Sequence, residues 1–151
     1  MSKPEVFSQS FWMLKLINKF MKKGKKFKVE NAILSSFSKY KLDYPQSQPF
    51  FILFKYLLSY RPLYGFVKIR KSRQYKQIPM PLSPKRQMII CLTWFVRALR
   101  MLKEKKLIIQ FYEELKNIKT NTKPVLKRYK VTHEFHFQIV TERINVRYRW
   151  K

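Results

Sequence analysis

Between Asp43 and Glu104 the chain runs for sixty residues with twelve Lys or Arg and not one acid. A fold built on such a stretch cannot neutralise itself through surface ion pairs, because ordinary surfaces intersperse both signs. It has to bury its apolar faces and offer a single-sign surface to a polyanion. The whole chain repeats the bias, with 34 Lys+Arg against 8 Asp+Glu and a formal charge of +26 over 151 residues. Apolar residues at 46% and aromatics at 17% are enough for a packed core, which excludes a disordered basic tail. The length suits one domain spanning residues 1–151.

The same arithmetic argues against an enzyme. Asp43 is the only Asp and there are seven Glu, so carboxylate dyads and metal cages have little to draw on. Glu113 and Glu114 are adjacent and point to different sides of a helix. His133 and His136 have ligand-compatible spacing but no acid or thiol set beside them, which favours a structural or RNA-facing role. Cys91 lies in an apolar stretch and reads as a small core residue. With only Gly24 and Gly65 there is no glycine-rich phosphate loop. No cofactor, metal or small-molecule substrate is implied.

No apolar run reaches the roughly 18–20 residues of a membrane span, and no transit peptide is visible at the N-terminus. Lys outnumbers Arg 24 to 10, and Phe, Tyr and Ile are abundant. An A+T-rich gene produces that bias, which fits a protein encoded inside an organelle.

The periodicity is mainly helical. Helices are expected over residues 11–22, 26–39, 48–60, 84–102, 105–118 and 124–148. Ser10 and Ser83 read as caps, with Pro84 at the first helical position. Gly24 suits a left-handed helix end. In the fourth helix Met88, Leu92, Phe95, Val96 and Leu99 form the buried stripe. Between the third and fourth helices the period changes from 3.6 to 2, giving a β-hairpin arm over residues 63–82 with its tip near Lys71–Gln74. Pro79 and Pro81 are two apart, so both can occupy positions that need no ladder donor. Two strands alone are marginal, so the hairpin reads as a projecting arm.

Four basic clusters follow. The hairpin carries Lys68, Arg70, Lys71, Arg73 and Lys76 among Tyr64, Phe66 and Tyr75, a mixture suited to phosphates and unstacked bases. The plain alternative, a strand edge protected by charge, does not explain the missing acids. Lys22, Lys23, Lys25, Lys26 and Lys28 surround Gly24 at a helix start, where free N–H groups favour phosphate. Arg86, Arg97 and Arg100 fall within about a sixth of a turn of one another. Arg143 and Arg147 share a helix face near Tyr148, Arg149, Trp150 and Lys151.

The order of elements and several short strings resemble the small-subunit ribosomal protein seven family, of the bacterial and organellar type. Asn18, Gly24-Lys25-Lys26 and Glu30 match its first helix end and second helix start. Arg61-Pro62 and Gln77-Ile78-Pro79 match its hairpin frame. Pro84, Arg86, Trp94, Val96, Ala98 and Arg100 fall in register with its fourth helix, and Tyr148-Arg149-Trp150 with its C-terminal signature. The likeness covers roughly residues 10–150, without a gap from Arg61 to about Leu115. Ser72 and Arg73 stand where the family has paired glycines near the hairpin tip. Alignment from the front matches the family's sixth-helix histidine to His133, and alignment from the end matches it to His136.

The resemblance implies a mainly α, six-helix domain with a protruding hairpin. It implies binding to the 3′ major domain of small-subunit rRNA and organisation of the subunit head. It also implies a hairpin near exit-site tRNA and the mRNA path, with head and platform ribosomal proteins as neighbours. The expected RNA-binding set is Lys25, Lys26, Lys68, Arg70, Lys71, Arg73, Lys76, Lys85, Arg86, Arg100, Arg143, Arg147 and Arg149. A mitochondrial ribosome is the expected setting, with the plastid as the alternative. Two other classes remain: a free basic DNA-compacting protein, and a cationic membrane-surface protein.

Overall fold

A computed structural model describes residues 3–71, 73–102, 106–122, 124–128 and 131–148, with side chains at 3–10, 71, 128, 131 and 132 excepted. The chain is mainly helical: α1 (Lys3–Phe20), α2 (Lys26–Asp43), α3 (Pro49–Ser59), β1 (Tyr64–Lys71), β2 (Gln74–Pro81), α4 (Pro84–Met101), α5 (Leu107–Thr120), α6 (Val125–Arg128) and α7 (Val131–Thr141). A 3-10 segment, Glu142–Tyr148, follows α7 directly.

The core is an aromatic knot where four helices meet. Phe111 on α5 has edge contacts with Phe20 of α1 at 5.3 Å, Phe95 of α4 at 5.8 Å and Phe37 of α2 at 6.4 Å. The expected α4 stripe is buried throughout, and Cys91, Trp94 and Ala98 join it. Cys91 Sγ points at the Leu57 carbonyl of α3, 3.2 Å away, and burial pushes its thiol up to about 12. Since the thiolate is the reactive form, Cys91 should resist a thiol reagent at pH 8 in the folded chain and react fully in denaturant. Rapid native labelling would contradict this packing.

Several helix limits differ from the sequence expectation. α1 begins at Lys3 rather than at residue 11, so Ser10 lies within the helix instead of capping it. Pro4 is tolerated in a first turn and the acid of Glu5 suits a helix N-terminus, so nothing in that segment stops the helix. Ser83 does occupy the cap of α4 with extended backbone, but its side chain makes no capping bond. The Gln87 amide instead donates to the Leu82 carbonyl at 2.8 Å. α1 ends at Phe20, and Lys23 and Gly24 turn the chain with φ of 52° and 73°.

The expected sixth helix is described over Val125–Arg128 and Val131–Thr141, and from Glu142 its α form gives way to the 3-10 segment. Seven β-branched residues between Val131 and Val146 weaken a regular α-helix there. Tertiary anchors hold the α6 turn. The buried Glu114 carboxylate accepts from the Val125 N–H at 2.7 Å, and the Tyr56 hydroxyl accepts from the Leu126 N–H at 3.0 Å. A carboxylate at a helix N-terminus satisfies an orphan donor and complements the dipole. Burial, with Glu114 nearby, raises the Tyr56 pKa far above the usual phenol range, so Tyr56 stays neutral. Glu114→Leu should cost about 1–3 kcal/mol by orphaning the Val125 N–H, read as a lower urea midpoint; an unchanged midpoint would refute the capping role.

The hairpin is antiparallel, pairing Tyr64 with Pro81, Phe66 with Pro79 and Lys71 with Gln74. The Leu82 N–H donates to the Leu63 carbonyl at 2.9 Å. Counting pairs from that bond, Pro79 and Pro81 sit at positions of the ladder that exchange no hydrogen bond. The hairpin is not a bare arm. Ile78 is fully buried, Phe66 meets Phe135 of α7 at 5.3 Å, and Phe135 meets Trp94 of α4 at 5.2 Å. The 3-10 segment packs along β2, where the Asn145 amide donates to the Gln77 carbonyl at 3.4 Å.

Candidate nucleic-acid interface

Tertiary packing merges the linear basic clusters into two surfaces. The first is a groove of about 590 Å³ where the α1–α2 turn, the start of α2, the end of α4 and the start of α5 converge. Lys22, Lys25, Lys28, Arg100 and Lys106 line it, over apolar groups that include Phe20, Val29 and Leu107. Arg100 also has a structural task. Its guanidinium donates to the Lys19 carbonyl at 2.9 Å and the Phe20 carbonyl at 3.2 Å, filling carbonyls left open at the end of α1. Lys26 is exposed beside the groove but does not line it.

The second surface joins the hairpin to the C-terminal segment. Lys76 lies over the Tyr148 ring at 4.3 Å, and the Arg147 guanidinium approaches the same ring at 5.1 Å. Hydrogen bonding to Lys76, then the charge of Arg147, holds the Tyr148 pKa below the usual phenol range. Arg70 is exposed and pairs across the ladder with the exposed Tyr75, placing a cation beside an open aromatic face. Lys68 and Arg73 are also exposed, as is Arg143. The side chain of Lys71, and Arg149 altogether, lie outside the described residues.

Along α4, Lys85 and Arg86 are exposed, as is Arg97. Lys85 Nζ is 5.6 Å from the Phe11 ring of α1. Lys106 was missed by sequence reasoning. It is the residue before α5, at the end of the short run Lys103-Glu104-Lys105-Lys106, and nothing local connects it with Lys25 some eighty positions earlier.

The single Asp is held apart from both surfaces. Asp43 pairs with Lys116 at 3.2 Å and accepts the Tyr112 hydroxyl, and these partners hold its carboxyl below the usual range. His133 and His136 are exposed, and among the described residues no group of three or more His, Cys, Asp or Glu is placed to hold a metal. No described helix is long and apolar enough to cross a membrane.

Comparison with known proteins identifies the family. Residues 1–135 match the family described as ribosomal protein S7p/S5e. Small ribosomal subunit protein uS7m of Bos taurus is 27% identical over 70% of the chain, and the match spans 43% of the bovine protein. Small ribosomal subunit protein uS7 of Rickettsia bellii is 24% identical over 87% of the chain and 80% of that protein. The uS7 of Phytoplasma mali is 26% identical over 97% of the chain and 92% of its own length. The chain thus spans under half of the bovine relative but most of the bacterial ones. With a family match over 135 of its 151 residues, this chain belongs to the ribosomal protein S7p/S5e family.

Proposed function

We propose that the protein is a structural constituent of a mitochondrial small ribosomal subunit. It binds the 3′ major domain of the small-subunit rRNA, helps to organise the subunit head, and carries its hairpin toward exit-site tRNA and the mRNA path. Neighbouring head and platform proteins complete its contacts. The observation that carries this reading is the collection of cations into two surfaces on a chain of the S7p/S5e family, with Asp43 paired away from both.

The mechanism is electrostatic rather than chemical. Each Lys or Arg set on a phosphate releases condensed counterions, so several contacts hold RNA segments together and make binding steeply salt-dependent. Exposed aromatics such as Tyr75 supply faces for unpaired bases. Relatives named uS7m in cattle and mice, bacterial uS7 relatives and the A+T-type composition together support the mitochondrial setting and an organellar gene.

Sedimentation of a gentle organelle lysate tests the reading, with mass spectrometry following this chain. Co-migration with small-subunit rRNA, abolished by RNase, is the expected outcome. Migration with DNA, with membranes or as free protein would overturn it.

A further inference from the structure

The groove at the α1–α2 turn differs from an ordinary basic surface, because its cations surround an apolar wall. Lys22, Lys25, Lys28 and Lys106 are exposed, whereas Phe20 is buried and Val29 and Leu107 are half-buried. A site made only for a phosphate has no use for that wall. Its volume of about 590 Å³ falls within the range of about 300–1,000 Å³ typical of small-ligand sites. No carboxylate is among the described lining residues. Arg100 enters with one edge of its guanidinium already held by the Lys19 and Phe20 carbonyls. An arginine plane fixed in this way is a ready stacking partner for a base and loses little freedom on binding.

We propose that this groove seats one unstacked nucleotide of the bound RNA. Its base lies against Val29, Leu107 and the edge of Phe20, with Arg100 beside it, and its phosphate is held by the surrounding lysines. The proposal deepens the RNA-binding reading and rests on it for the identity of the occupant. It turns a patch that would accept any phosphate into a site that requires a base. Two stretches distant in sequence, 20–32 and 100–108, build the site, so it exists only in the folded chain.

The test uses the full-length chain, labelled with nitrogen-15, in parallel titrations with adenosine 5′-monophosphate, ribose 5-phosphate and inorganic phosphate at matched ionic strength. The nucleotide should shift the amides of Phe20, Lys25 to Val29 and Leu107 to Ile108 saturably. Its dissociation constant should be at least about tenfold lower than that of ribose 5-phosphate, the value of one stacked base. Lys25→Gln should weaken all three phosphate-bearing probes and leave the preference for the base intact. Equal affinity for nucleotide and ribose 5-phosphate would reduce the groove to a phosphate site and overturn the proposal. Shifts spread evenly over the hairpin and C-terminal segment would overturn it too. The organelle gradient is independent: co-sedimentation with rRNA alongside equal affinities removes only the nucleotide site. Base preference in a chain that leaves the rRNA fraction removes only the ribosomal assignment.

Discussion

Charge reversal at Arg70 and Arg86 together should weaken binding to small-subunit rRNA by about a hundredfold and flatten its salt dependence. Both side chains are exposed, one on the hairpin and one on α4. Neither has a packing task like that of Arg100, so the double substitution should leave the fold intact. Each charge-assisted contact is worth at least about 1.5 kcal/mol, and two such losses give the hundredfold. Each phosphate contact removed should also lower the slope of log K against log salt by about one. The pair Arg70→Lys and Arg86→Lys keeps both charges and should keep the slope. Filter binding across a salt series reads both quantities. An unchanged affinity and slope in the charge-reversed chain would show that these residues do not face phosphate.

Phe111→Ala should be the most damaging single core change. Phe111 is fully buried and joins rings from α1, α2 and α4. Phe→Ala in a core costs about 3–5 kcal/mol through lost transfer energy and the cavity left behind. Domains have only about 5–15 kcal/mol of stability in all. At +26 this chain also works against its own repulsion, so the variant should be largely unfolded when free. Urea unfolding followed by far-UV circular dichroism measures the loss. Added rRNA should restore part of the structure, because a ligand of the folded state stabilises it by mass action. A midpoint within about 1 kcal/mol of the parent chain, below any ordinary cavity cost, would refute the central place given to Phe111.

Much of the architecture was legible locally. The α4 stripe of Met88, Leu92, Phe95, Val96 and Leu99 follows helical spacing and is buried as a unit. The change of period at residue 63 and the paired prolines marked the hairpin and its non-bonded ladder positions. Helix ends were read less well. Ser10 looks like a cap and is not one, because capping competes with continued helix and nothing before Ser10 breaks it. The anchoring of the start of α6 was invisible because its partners, Glu114 and Tyr56, come from α5 and α3.

The candidate site divides in the same way. Which residues carry charge, and that almost no acid accompanies them, is a property of composition and needs no fold. The sequence by itself therefore determined a basic, mainly helical protein with a hairpin and a single-sign surface suited to a polyanion. Only the tertiary structure decided which cations act together. It set Lys106 beside Lys25, assigned Arg100 to the end of α1, and bound Lys76 and Arg147 through Tyr148. Periodicity describes one element at a time, whereas a binding groove is made where elements meet. The meeting is set by burial of Phe20, Phe95 and Phe111 in one knot, a contact between residues far apart along the chain that local spacing does not encode.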